Sequence, residues 1–112
     1  LLAKRVNRGE IWLYTFKPPD KRRPVLILTR QEVIGSLSTV TVAPITSTIR
    51  GASSEVLVGI PEGLKSVSAV NLDHVQTVER GSLAQYIGSL GEEKMEEVCR
   101  AFGDRDGLRS SQ

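Results

Sequence analysis

Four consecutive apolar residues, Val25, Leu26, Ile27 and Leu28, follow three cations, Lys21, Arg22 and Arg23, with only Pro24 between. A strand turns alternate side chains to opposite faces, so an unbroken apolar run predicts a strand buried on both faces. The cations then stand where that strand emerges. An Arg cannot be deprotonated in a protein, so Arg23 offers only a permanent cation and a fork of N–H donors. The next apolar segment closes on Pro44-Ile45-Thr46-Ser47, which sets small hydroxyls at a rigid strand end. A guanidinium and a hydroxyl brought together by adjacent strands suit a phosphate that gains charge in a transition state.

The rest of the chain reads as more short strands. Residues 10–16 alternate Ile11, Leu13 and Thr15 against Trp12, Tyr14 and Phe16. Apolar groups on both faces suit a barrel strand that also meets a partner. Residues 17–21 carry Pro18 and Pro19 and form a turn. Residues 23–29 make the second strand, and 30–38 a helical turn or irregular loop. Residues 39–45 make a third strand that Pro44 ends or confines to an edge. A polar loop with Gly51 covers 48–54, a fourth strand 55–60 and a turn 61–63. Short strands follow at 68–71, 76–79 and 86–89.

The last element is a helix, because Met95, Val98, Cys99 and Phe102 fall on one apolar stripe, with Cys99 in the core. Gly91 serves as its N-cap, Glu92 and Glu93 favour its positive end, and Leu90 staples onto Met95. Gly103 stops it, and 104–112 is a frayed polar tail. Many short strands followed by one helix predict a mainly β chain: a small barrel-like sheet with a C-terminal helix. A length of 112 residues is one domain with a single modest core.

Composition narrows the function. Hydrophobic residues at 39% and charged residues at 25% are ordinary for a globular protein. No apolar run approaches a membrane span and no signal-peptide core opens the chain, so the expected setting is cytoplasmic, without membrane. The chain opens on Leu1-Leu2 rather than Met, as a trimmed form would. One Cys and one His leave neither an intramolecular disulfide nor a His/Cys zinc site within the chain, and point to a reducing compartment. No P-loop or dinucleotide fingerprint is present, so neither a cofactor nor a metal is expected. Net charge is +2, yet residues 1–50 hold nine Lys/Arg against three acids, whereas 51–112 hold six against ten. A basic half suits a polyanion or an acidic peptide.

Four ordered features now carry a resemblance: Arg8-Gly9-Glu10-Ile11-Trp12, Arg23-Pro24-Val25-Leu26-Ile27-Leu28, Ala43-Pro44-Ile45-Thr46-Ser47, and Asp73-His74-Val75-Gln76-Thr77-Val78. No one of them is specific, but their order and separations together resemble the MazF/PemK/Kid family of toxin endoribonucleases from about residue 8 to residue 102. That resemblance implies an SH3-like barrel of the MazF/Kid/CcdB type. It also implies metal-independent cleavage of single-stranded RNA, mRNA or else rRNA or tRNA. The RNA's 2′-OH attacks the adjacent phosphate, leaving a 2′,3′-cyclic phosphate and a 5′-OH.

By position Arg23 matches the family's catalytic Arg and Thr46 its catalytic Thr. Asp73 aligns with an acid that some members use as a base or to orient substrate; a turn aspartate is the equal alternative. Asp20, three residues before Arg23 in a short loop, is a second candidate, with a solvated turn aspartate the favoured alternative; in many members that loop is longer and carries a Glu. The general base is therefore unassigned. Asn71 stands where some members carry a second catalytic Arg. His74 replaces a more frequent Gln and reads as a groove residue. Lys17, Lys21, Arg22, Arg30, Arg50 and Ser47 are candidates for positioning RNA. Trp12, Tyr14 and Phe16 read as core or dimer packing before base stacking. The implied partners are a second copy of the chain, single-stranded RNA, and a MazE-like antitoxin whose acidic tail covers the basic groove. Operator DNA is expected only with the antitoxin. Two alternatives stay open: a CcdB-type gyrase poison on the same barrel, and a barrel that binds RNA without cutting it.

Overall fold

Why β2 (Arg22–Ile27) can be apolar without interruption is plain from what lies on its two sides. In a computed structural model, which describes residues 5–17 and 21–106 with side chains to residue 103, Val25, Leu26 and Ile27 are all fully buried. Leu26 joins Ile11, Ile45, Val70 and Leu72 beneath the C-terminal helix α2 (Glu92–Asp106). Val25 and Ile27 join Trp12, Ile34, Val40, Val42 and Leu83 on the opposite face. Each such side chain contributes about 1.5–3 kcal/mol by leaving water. The run is thus used on both faces, as its composition predicts.

The remaining elements are β1 (Glu10–Thr15), the short helix α1 (Gln31–Ile34), β3 (Thr39–Thr46), β4 (Glu55–Val58), β5 (Ser68–Asn71), β6 (Gln76–Glu79) and β7 (Leu83–Ser89). Three 3-10 turns intervene, at Ile60–Glu62, Leu72–His74 and Arg80–Ser82. All pairings are antiparallel, in the order β4-β5-β3-β2-β1-β7, with β6 also on β3. The sheet closes on itself where the turn after β4 meets the end of β7. There the backbones touch. A Cβ on Gly88 would stand 2.0 Å from the Glu62 carbonyl oxygen, and one on Gly63 2.6 Å from that of Ile87. Only glycine permits that approach, and Gly63 also needs its left-handed φ of 100°. The mainly β barrel with a C-terminal helix is therefore the observed fold.

Pro44 neither ends β3 nor confines it to an edge. Its strand runs on to Thr46, with β2 on one side and β6 then β5 on the other. Leu28 N–H donates to Thr41 O (2.8 Å), so odd-numbered residues of β3 bond to β2 and the nitrogen of Pro44 faces the other edge. On that edge β6 pairs no further than Val42 and β5 begins at Ile45. The missing N–H falls in the gap between two partners.

Two expectations for α2 also change. Helical geometry puts Cys99 about 100° around the helix from the fully buried Val98, at the margin of the stripe, and its thiol is exposed beside the Arg8 guanidinium (3.5 Å). The buried margin on the other side is Ala101. Gly103 does not stop the helix, which continues to Asp106. A glycine costs a helix only about 1 kcal/mol relative to Ala, too little to end one that packs on β4 and on the Leu72–His74 turn. Of the expected frayed tail, 107–112 lies outside the described residues.

Candidate active site

Register brings the guanidinium and the hydroxyl together. Val25 pairs with Pro44 and Leu26 with Ala43. Carried two residues further, the same register sets Arg23 opposite Thr46, and β1 supports Arg23 from the other side through Tyr14. Both side chains are half-buried. The Thr46 oxygen accepts the Thr48 N–H (3.1 Å), which turns the chain away from the strand and leaves the hydroxyl proton available to donate. Among the described residues the Arg23 side chain makes no hydrogen bond or ion pair, so its donors remain free for a ligand.

Two open clefts meet at this pair. The first, of about 380 Å³, is lined by Phe16, Thr48, Arg50, Glu55, Asn71, His74 and Gln76 together with Pro44. The second, of about 610 Å³, is lined by Leu13, Arg22, Ser47, Leu64, Lys65 and Tyr86 among others. Arg23 and Thr46 line both, and among the described residues no other does. They form the ridge between the two hollows.

Most of the positioning candidates fall into place around that ridge. Arg50 and His74 line the first cleft, Arg22 and Ser47 the second. Lys17, Lys21 and Arg30 are exposed and line neither. Asp73 is held in the turn after β5. Its N–H donates to Asn71 Oδ1 (3.0 Å) and its carboxylate accepts the buried Ser54 hydroxyl (2.7 Å). It lines neither cleft, and its neighbours Asn71 and His74 line the first in its place. Asp20 lies outside the described residues. Among the described residues no three His, Cys, Asp or Glu side chains gather as a metal ion would require, and no helix is long and apolar enough to cross a membrane.

Glu55 and Tyr86 are not evident as site residues from sequence order, and Phe16, read from sequence as packing before stacking, both packs on the core and lines a cleft. Glu55, the first residue of β4, turns its carboxylate back to the Arg50 and Gly51 N–H groups at the rim of the first cleft. Each cleft also holds one aromatic ring. Phe16, edge-on to Tyr14 at 4.9 Å, lines the first. Tyr86, edge-on to the buried Trp12 at 5.9 Å and 50% exposed, lines the second. Trp12 is core, as its strand spacing predicts.

Fold and site together define a small antiparallel barrel carrying a cation-and-hydroxyl ridge between two open grooves. The family described as PemK-like, MazF-like toxin of type II toxin–antitoxin system matches residues 7–104, and the chain belongs to it. Endoribonuclease MazF3 of Mycobacterium tuberculosis is 45% identical over 85 residues, which cover 76% of this chain and 82% of that protein. The probable endoribonuclease MazF5 of the same species is 39% identical over 96 residues, 85% of this chain and 87% of that one. Among solved structures, Mycobacterium tuberculosis toxin MazF-mt6 superposes with a TM-score of 0.83 at 40% identity, covering 90% of this chain and 99% of its own. A mycobacterial endoribonuclease solved in complex with its cognate antitoxin gives a TM-score of 0.84 over 96% of this chain and all of its own; at 21% identity that likeness is one of fold.

Proposed function

We propose that the chain is the toxin of a toxin–antitoxin pair, a metal-independent endoribonuclease that cuts single-stranded RNA at the Arg23–Thr46 ridge in the cytoplasm. One observation carries the reading: the two residues matched to the family's catalytic pair are also the two that the clefts share. A phosphate on the ridge has the nucleotide on one side in the first cleft and its neighbour in the second. Unstacked bases can then meet Phe16 and Tyr86, each such stack worth about 1–3 kcal/mol. Asn71 and Gln76 offer amide groups to base edges in the first cleft.

In the reaction the 2′-oxygen loses its proton and bonds to phosphorus, while the bond to the 5′-oxygen breaks and that oxygen takes up a proton. Negative charge grows on the non-bridging oxygens. The Arg23 N–H groups and the Thr46 hydroxyl donate to them, held in place before the charge develops. The products are a 2′,3′-cyclic phosphate and a 5′-OH end. A cognate antitoxin is the implied regulator, its acidic tail lying across Arg22, Arg23 and Arg50. A homodimer is the implied assembly, and operator DNA is bound only through the antitoxin.

The test is a matched pair of oligonucleotides, all-ribose and singly 2′-deoxy at the scissile position, incubated with the protein in EDTA. Cleavage of the first and survival of the second is the expected result. Equal cleavage of both would rule out 2′-OH attack, and loss of cleavage in chelator would mean a metal-activated nucleophile. With neither strand cut under any condition, the gyrase-poison and RNA-binding readings would replace this one.

A further inference from the structure

The first cleft contains two guanidiniums, on Arg23 and Arg50, and they are held in different ways. Arg23 sits on a strand. Arg50 sits in the middle of the loop at 47–54, where conformational freedom would disperse its charge. That loop is fixed at both ends by Thr46 and by the Ser54–Asp73 bond. Between them the Glu55 carboxylate reaches back over the loop. Glu55 Oε1 accepts the Arg50 N–H at 3.0 Å and the Gly51 N–H at 2.8 Å, and Oε2 stands 3.3 Å from the Arg50 nitrogen. Gly51, the second residue held, has a φ of 80°, the left-handed conformation that glycine adopts without strain. A carboxylate in an RNA-binding cleft would repel phosphate, so its presence calls for a role that outweighs that repulsion.

We infer that Glu55 is a positioning residue: it clamps the backbone of Arg50 and Gly51 so that the Arg50 guanidinium stands as the second cation of the first cleft, against the RNA phosphate next to the one cut. The inference rests on the proposed endoribonuclease reading and extends it to a residue that touches no substrate. Because the clamp uses backbone N–H groups, the Arg50 side chain remains unpaired and available to RNA; among the described residues it has no hydrogen-bond or ion-pair partner.

The experiment is a double-mutant cycle on the full chain, read by single-turnover cleavage and by RNA binding across a salt series. Arg50→Ala should weaken kcat/KM about tenfold, mostly through KM, and lower the salt slope of binding by about 0.7, the loss of one phosphate contact on a single strand. Glu55→Ala should weaken binding in the same direction even though it removes a negative charge. Glu55→Gln, which keeps an acceptor oxygen but not its charge, should fall between Glu55→Ala and the unsubstituted protein. In the Arg50→Ala background, Glu55→Ala should cause no further loss. Tighter RNA binding by Glu55→Gln, or an undiminished effect of Glu55→Ala when Arg50 is already gone, would overturn the clamp. Arg23→Ala run in parallel separates the two levels. If that variant loses cleavage while the cycle is additive, the clamp alone fails. If it cleaves normally, the cleft is not the catalytic site and both readings fall.

Discussion

The two clefts share a wall and little else. The first is polar and held by its own chain: the Glu55 clamp, the Asn71 turn and the Ser54–Asp73 bond fix the residues around it. The second is the more apolar, bordered by Leu13, Pro24, Leu64, Ile87 and Tyr86, but Arg22, Lys65, Gln85 and three serines line it as well. Hydrogen bonds impose direction, so the first cleft is suited to reading which base is present. Apolar surface imposes none, so the second is suited to holding whatever stacks there. Under the proposed function, selectivity and affinity divide between the two sides of one phosphate.

The ridge offers the largest effect by which that comparison can be broken. Arg23→Ala should lower the cleavage rate by ~10²–10³, about 3–4 kcal/mol of transition-state support, with the fold unchanged by circular dichroism. Arg23→Lys should not restore it, since an ammonium lacks the planar fork. A rate near that of the unsubstituted protein would separate the ridge from the chemistry. Thr46→Val should act next, lowering the single-turnover rate constant by about tenfold while keeping β-branching and near-equal volume. If that constant does not move, Thr46 serves the turn to Thr48 and nothing more.

The smaller effects distinguish the clefts themselves. Tyr86→Ala should weaken RNA binding by about 1–3 kcal/mol with the same cleavage sites retained. Gln76→Ala should change binding less and alter which sites are cut, as read by sequencing the new 5′ ends of a long RNA. Opposite outcomes, with Tyr86 changing the sites and Gln76 only the affinity, would reverse the assignment of roles.

What could be read from the chain depended on whether a feature repeats along it. β2 was legible because an apolar run is unambiguous when both faces are covered, and Arg23 and Thr46 became candidates because each stands at a strand end within the ordered family motifs. Tyr86 was not, since an aromatic at strand spacing looks the same whether it faces core or groove. Glu55 opens a strand as any solvated acid might, and its function depends on a loop folding back four residues. Cys99 shows the limit of periodicity: the stripe was real, but its depth was set by what α2 packs against.

Sequence alone determined the alternation of strands and turns and the single C-terminal helix, because these follow from residue type and local spacing, while the ordered family motifs singled out Arg23 and Thr46 and the sheet register brought them together. Tertiary structure decided three things: that β3 is shared between β6 and β5, leaving the Pro44 nitrogen in the gap; that Gly63 and Gly88 close the barrel; and that the two clefts meet at one ridge. Each of these depends on a distance between residues far apart in the chain. No local pattern specifies such a distance. It is set by the packing that buries both faces of β2 while keeping its neighbouring strands paired.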